Sequence, residues 1–318
     1  MMSTIKILVS ESLGNEGLAI LQSQHNFQVE LALGLSQAEL CQKIPDYEAL
    51  LVRSQTQVNA QLIEAGSKLR LIGRAGVGTD NIDLNRAQAH NITVINTPTG
   101  NSISTAELAF GLMIAMARKI PQAHHHVRSG QWQRSIFKGT ELSGKTLGII
   151  GFGNVGRLLA QRARAFDMPV VVHDPIINQA SAKELGVEKL ELNSLLACSD
   201  FISLNCGLNQ DTKHIINQNT LKLTKKSLFL VNTARGELIE PKALLAGLDN
   251  GQLAMAALDV FQVEPPDPND RLLSHPNIIC TPHLGASTEE AQRRVSTLLA
   301  EQTIVFFQGP YGSKINHL

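Results

Sequence analysis

The stretch TLGIIGFGNVGRLLAQRARAF, residues 146–166, constrains this chain more than any other. A β-branched run (146–150) leads into GFGNVG (151–156), and a helix-period segment follows directly. Strand, glycine loop and helix in that order make the phosphate-binding turn of a doubly wound α/β domain. In that turn Gly151 permits the tight bend, Gly153 lets the main chain approach a pyrophosphate, and Gly156 allows close packing of helix on strand. Open N–H groups at the helix start attract negative charge. The next strand (170–173) runs into Asp174, a carboxylate placed to accept from both ribose hydroxyls of an adenosine. The same carboxylate repels a 2′-phosphate, and the following Pro-Ile-Ile-Asn supplies no Arg or Lys to offset it. The pattern calls for NAD rather than NADP. The bland alternative, glycines serving only as a turn and Asp174 as a surface acid, is the weaker one because all four parts occur in the required order.

Short β-branched runs alternate with helix-period segments through almost the whole chain, the pattern of a parallel sheet covered on both faces. The fold class is therefore α/β. A length of 318 residues suggests two domains with a cleft between them. Strands are expected at 5–9, 27–32, 49–53, 69–73 and 93–97, and a second series at 146–150, 170–173, 201–205, 227–232, 254–259 and 277–281. Six strands with helices between them is the count of a complete Rossmann domain. Ser104 and Glu107 have capping-box spacing ahead of a long apolar helix that ends near Arg118 and looks like a connection between domains. Ser287 and Glu290 repeat that spacing before a last helix expected to return to the first domain. The expected layout is discontinuous, with residues 1–101 and 285–318 forming one lobe and 102–284 the other.

Composition narrows the ligand class. Lys+Arg and Asp+Glu are both 28, which gives no electrostatic reason to expect nucleic acid or a membrane surface as partner. Cys41, Cys198, Cys206 and Cys280 show no CxxC spacing, so reduced thiols and no metal are expected. His124, His125 and His126 invite a metal reading, but adjacent helix positions point about 100° apart and make no chelating pair. The N-terminus lacks a signal-peptide core, and the longest apolar run, around 108–117, falls short of the roughly 18 residues a membrane span needs. A cytoplasmic protein acting on a small molecule is expected.

In a doubly wound sheet the ligand crevice lies outside the carboxyl ends of the strands. The strand at 227–232 runs into NTARGE with Arg235, the next into LDVFQVEPP with Asp259 and Glu264, and the last into TPHLG with His283. Losing hydride from the carbon of a secondary alcohol requires that its hydroxyl lose a proton, and an imidazole suits that task. A carboxylate on the far ring nitrogen, here Glu264, fixes the tautomer and stabilises the imidazolium. Arg235 can grip a substrate carboxylate with two parallel hydrogen bonds. Singly, each has a plainer reading as a structural ion pair, a solvated acid or a loop histidine. Their joint position at successive strand ends favours chemistry.

Taken together, GRAGVGTDNIDL (73–84), NTPTGNSISTAELAFGLMIAMAR (96–118), GTELSGKTLGIIGFGNVGR (139–157), LVNTARGELIE (230–240), ALDVFQVEPP (257–266) and TPHLGASTEEAQ (281–292) resemble the D-isomer-specific 2-hydroxyacid dehydrogenases over nearly the whole chain. The resemblance implies a Rossmann NAD-binding domain plus a smaller flavodoxin-like substrate domain completed by the C-terminal helix. It implies an Arg235, Glu264, His283 catalytic set, in agreement with the reading of the strand ends. Implied NAD contacts fall on Val77, Asn154, Val155, Asp174, Cys206, Thr233, Ala234, Asp259 and the Gly285-Ala286 turn, with Asp259 holding the nicotinamide amide. The likeness is greatest to the branch acting on 3-phosphoglycerate, in which substrate anions would meet Arg53, Arg74 with Ala75 and Gly76, and Asn101. A homodimer is implied, with Arg134 reaching the site of the partner subunit.

The chain departs from the family pattern at Asn205-Cys206-Gly207, where many members carry His-x-Pro. Cys206, with no histidine flanking it, is expected to line the cofactor rather than act as a nucleophile. The sequence ends at Leu318, so feedback through a C-terminal regulatory domain is not expected. Two rivals remain open: a glyoxylate or hydroxypyruvate reductase, and an NAD-sensing corepressor-like binding protein.

Overall fold

The computed structural model describes residues 4–309. The chain divides into two compact units, one made of the segment ending at Asn101 with the segment beginning at Ala286, the other of Ser102–Gly285.

The first unit is built on a five-stranded parallel sheet: β1 (Ile5–Val9), β2 (Phe27–Leu31), β3 (Ala49–Val52), β4 (Leu71–Arg74) and β5 (Thr93–Asn96). Their order, β2-β1-β3-β4-β5, is the flavodoxin order. The central β3 is buried along its whole length, as its uninterrupted apolar run ALLV requires of a strand covered on both faces. One face packs Ile7, Val9, Leu51 and Leu71 against Val295, Leu299, Ala300 and Phe306 of the helix Glu289–Gln308. The other packs Leu8, Leu50, Val52 and Ile72 against Leu62, Ile63 and Ala87. The helix Asn15–Gln22 lies so close to Glu289–Gln308 that a Cβ on Gly17 would stand 2.4 Å from the Ser296 carbonyl oxygen. The cap of this last helix differs from the expected Ser287–Glu290 box. Thr288 is the N-cap, its Oγ1 accepting from Ala291 N at 3.1 Å, because the helix begins at Glu289.

The second unit holds a seven-stranded parallel sheet: β6 (Leu147–Ile150), β7 (Val170–His173), β8 (Glu188–Lys189), β9 (Phe201–Leu204), β10 (Leu228–Asn232), β11 (Leu253–Leu258) and β12 (Ile278–Cys280). The order β12-β11-β10-β9-β6-β7-β8 starts at the glycine-loop strand and winds outward in both directions. The expectation of six strands is corrected by β8, a two-residue polar edge strand that carries no apolar run to mark it.

The helix Ser102–Ala117 also departs from expectation. It starts two residues before Ser104, so Ser104 is not its cap, and Glu107 pairs with Arg162 at 2.6 Å instead of closing a capping box. Its Ala106, Ala109, Met113 and Met116 are buried in the second unit's own core beside Leu147, Ile149 and Leu159. Rather than a bare connection, it is a core element of that unit. Among the described residues no helix is long and apolar enough to cross a membrane, no group of three or more His, Cys, Asp or Glu could hold a metal, and the cysteines are free.

Candidate active site

The parallel strands of the second unit deliver their following loops to one edge, and the structure brings the expected groups together there. After β6, Gly151 adopts φ +92 and its main chain lies against Cys206, where a Cβ would meet the Cys206 nitrogen at 2.4 Å. A Cβ on Gly156 would stand 2.4 Å from the Gly151 oxygen, so the loop closes onto its helix only without side chains. Above Gly153 there is open space, and Gly153, which carries no side chain, is the N-cap of the helix Asn154–Arg164. That arrangement is a cradle for a diphosphate.

Asp174 follows β7. Its Oδ2 accepts from Phe152 N at 2.7 Å and its Oδ1 from Ile176 N at 2.8 Å, so both oxygens are fixed beside the glycine loop with lone pairs still available. Ile176 is 92% exposed next to it, an apolar surface fit for a nucleobase. After β9, burial pushes the Cys206 thiol up to about 11, with Asp174 adding to the rise, so it stands protonated and suits a lining role better than a nucleophilic one. After β10, Thr233 is buried with its Oγ1 lacking a hydrogen-bond partner among the described residues. An orphaned hydroxyl on the strand-end edge that carries the glycine loop fits a dinucleotide.

Asn232 ends β10 fully buried and shapes the arginine turn. Its Nδ2 donates to Arg235 O at 2.8 Å and its Oδ1 accepts from Ala234 N at 3.1 Å. Arg235 Nη1 donates to Ala234 O at 2.6 Å. A Cβ on Gly236 would collide with the Phe261 main chain at 2.1 Å, which packs the arginine loop directly on the loop after β11. That second loop carries Glu264, whose Oε1 accepts from Phe261 N at 3.0 Å and whose Oε2 accepts from His283 Nδ1 at 2.7 Å. Partial burial pushes the Glu264 carboxyl up, but hydrogen bonds from His283 and Phe261 and the nearby charges of His283 and Arg235 outweigh it, holding the carboxyl below its ordinary value.

His283 sits in the left-handed region at φ 55, with its N–H donating to Asp259 O at 2.9 Å and Thr281 O at 3.0 Å. Asp259 is fully buried beneath it. Its Oδ1 accepts from Thr281 Oγ1 at 2.6 Å and Leu284 N at 2.7 Å, and its Oδ2 from Gly285 N at 2.9 Å. Burial raises its carboxyl above the ordinary value despite those three donors. The Gly285 carbonyl accepts from Ser104 Oγ at 2.8 Å and Thr105 Oγ1 at 3.0 Å, which explains why Ser104 does not cap its helix. Asn232, Thr281, Ser104, Thr105 and Gly236 were not read as site residues from sequence. The one available signal was a polar Asn closing the apolar strand LFLVN.

Most of the remaining expected residues belong to the first unit. Arg53 follows β3 half-buried, and Arg74 ends β4 with its guanidinium folded over Gly76, whose φ is +149. Ala75 N donates to Val52 O at 2.9 Å, and Val77, 39% exposed, has its carbonyl held by Asn96 Nδ2 at 2.6 Å. Asn101 closes the first segment of its unit and Ala286 opens the second, with the Ala286 oxygen accepting from Gln292 Nε2 at 2.7 Å. Arg134 begins the exposed 3-10 turn Arg134–Phe137. His124–His126 lie on the helix Ile120–Arg128, where His126 accepts from Gln133 N and stacks edge-on to Phe137.

Residues 110–285, which carry the glycine loop and the Arg235, Glu264 and His283 loops, match the NAD binding domain of the D-isomer specific 2-hydroxyacid dehydrogenases. The chain belongs to that family. It is 44% identical over 303 residues to a hydroxypyruvate reductase of Thermotoga maritima, covering 95% of this chain and 98% of that one. It is 46% identical over 312 residues to a D-3-phosphoglycerate dehydrogenase of Methanocaldococcus jannaschii, covering 98% of this chain. The chain spans 59% of that relative's length. Among solved structures, a D-lactate dehydrogenase of Aquifex aeolicus complexed with NAD and lactic acid superposes with a TM-score of 0.84 at 25% identity, covering 97% of each chain.

Proposed function

We propose that this chain catalyses the NAD-dependent oxidation of a small (R)-2-hydroxy acid, with 3-phosphoglycerate to 3-phosphohydroxypyruvate as the reaction. The observation that carries the reading is the Glu264–His283 hydrogen bond at 2.7 Å, with Arg235 close enough to Glu264 to lower its carboxyl.

Because a carboxylate can only accept, the His283 Nδ1–H donates to Glu264, leaving Nε2 with the lone pair that takes the substrate hydroxyl proton. Arg235 holds the substrate carboxylate as a fork and polarises the oxygen on the adjacent carbon. Glu264 stabilises the imidazolium that proton transfer creates. Bound NAD supplies the hydride acceptor. For that cofactor the chain offers Gly151, Gly153, Asn154, Val155 and Gly156 at the diphosphate, Asp174 at the adenosine ribose, and Val77, Cys206, Thr233, Ala234, Arg235, Asp259, His283, Gly285 and Ala286 around the remainder. Arg53, Arg74, Ala75, Gly76 and Asn101 would take the substrate's anionic groups. Arg134 would act across a homodimer, whose contact the exposed Trp132 (76%) and Ile136 (51%) would help form.

The near-full-length match to a hydroxypyruvate reductase supports a second reading, reduction of glyoxylate or hydroxypyruvate. Steady-state assays separate the two. The first predicts NADH formation from 3-phosphoglycerate at alkaline pH. No such formation, alongside clear NADH oxidation with glyoxylate, would establish the second.

A further inference from the structure

We propose that Glu11 and Asn81 are positioning residues for Arg53, fixing the loop that presents its guanidinium to a second anionic group of the substrate; this rests on the role given to Arg53 above. β3 ends at Val52, and residues 53–56 belong to neither strand nor helix. A segment of that kind ordinarily leaves its main-chain polar groups to water. Here two side chains from distant parts of the sequence collect them.

Glu11 Oε1 accepts from Arg53 N and from Thr56 N, both at 2.9 Å, and Oε2 accepts from Gln55 N at 3.2 Å. Asn81 Nδ2 donates to Arg53 O at 2.9 Å and to Thr56 O at 2.7 Å. The N–H and the C=O of both Arg53 and Thr56 thus end on the same pair of side chains. The buried Ser10 and Thr56 hydroxyls bond at 2.9 Å beneath the loop. Asn81 is itself pinned, its carbonyl accepting from Val58 N at 2.8 Å.

The chemistry of Glu11 is informative. A carboxylate two residues beyond the end of β1 could pair with the arginine it neighbours. Instead both oxygens face main-chain N–H groups, and among the described residues the Arg53 guanidinium enters no ion pair. The loop is held without consuming the cation it displays. An anion arriving at Arg53 meets a main chain already ordered, so little of the binding free energy is lost to ordering it. The reacting groups of the other unit are untouched by this brace, which places its effect on KM for anionic substrates rather than on kcat.

The test compares 3-phosphohydroxypyruvate with hydroxypyruvate, which differ by the phosphate alone, in NADH-dependent reduction by the full chain. Glu11→Ala and Asn81→Ala are each expected to raise KM for the phosphorylated acid by about tenfold, with kcat within about twofold and KM for hydroxypyruvate and NADH unchanged. Glu11→Gln retains the oxygen shared by Arg53 and Thr56 and is expected to recover most of the loss. Combining Glu11→Ala with Arg53→Ala should add nothing to Arg53→Ala alone, since both act through one guanidinium. If Arg53→Ala raises KM for the phosphorylated acid and neither Glu11→Ala nor Asn81→Ala does, or if the double variant is additive, the proposal is wrong while the role of Arg53 stands. If Arg53→Ala has no effect on either acid, both fall. Should Glu11→Ala fail to fold by circular dichroism, Asn81→Ala and Glu11→Gln decide.

Discussion

At the scale of single residues, the proposed proton chemistry is divided between His283 as base and Glu264 as its orienting carboxylate. His283→Ala removes the base and leaves the glycine loop and Asp174 intact, so kcat is expected to fall by about 10²–10⁴ with NADH affinity, read by fluorescence titration, nearly unchanged. A near-normal kcat would mean that the proton leaves by another route. Glu264 also links the site to pH. Its carboxyl is held below the ordinary value of 4.5 in the folded state, so its bond to His283 stabilises the fold above that value and is lost as pH falls through the lower folded one. Glu264→Gln should therefore flatten the fall in Tm between about pH 6 and pH 3. Equal falls in the variant and the parent chain would show that this carboxyl is not linked to folding.

At the scale of elements, loops held by buried polar side chains build the site. Asp259 ties the segment from Thr281 to Gly285 to the end of β11, and that segment holds His283 in a left-handed conformation that a histidine rarely adopts unaided. Asparagine cannot accept from all three donors, since its amide nitrogen would face an N–H. Asp259→Asn is expected to destabilise the chain by about 3 kcal/mol in urea unfolding and to lower kcat through misplacement of His283. Unchanged stability together with unchanged kcat would assign the loop's order to the Ser104 and Thr105 hydroxyls instead. Those hydroxyls show why the capping-box pattern misled. Serine followed three residues later by glutamate satisfies the sequence rule, but the rule does not record where the helix starts or whether the hydroxyl has a partner elsewhere. Ser104 has one in Gly285, and Glu107 has one in Arg162.

At the scale of the whole molecule, the chain completes its first unit only with its last helix. Val295, Leu299, Ala300 and Phe306 lie in that unit's core against the sheet, and burial of each such side chain is worth roughly 1.5–3 kcal/mol, alanine less. Ending the chain at Ala286 removes an amount comparable with a typical margin of about 5–15 kcal/mol. Limited trypsin digestion of that truncation is expected to degrade the segment before Asn101 and to spare Ser102–Gly285. Equal resistance of both would show that the first unit folds without its final helix.

The sequence by itself determined the α/β class and the glycine loop, and it marked Asp174, Arg235, Glu264 and His283 at the ends of strands. It could do so because parallel strands buried on both faces read as continuous apolar runs, and because their common direction sends every following loop to one edge. The edge strand β8 escaped because two polar residues at the margin of a sheet carry no such run. Only the tertiary structure decided how the other segments are held: Asp259 under His283, Glu11 and Asn81 under Arg53, and Gly17 against Ser296. Each of these contacts joins residues whose partners lie outside any local pattern of spacing, and such contacts exist only once packing has brought the segments together.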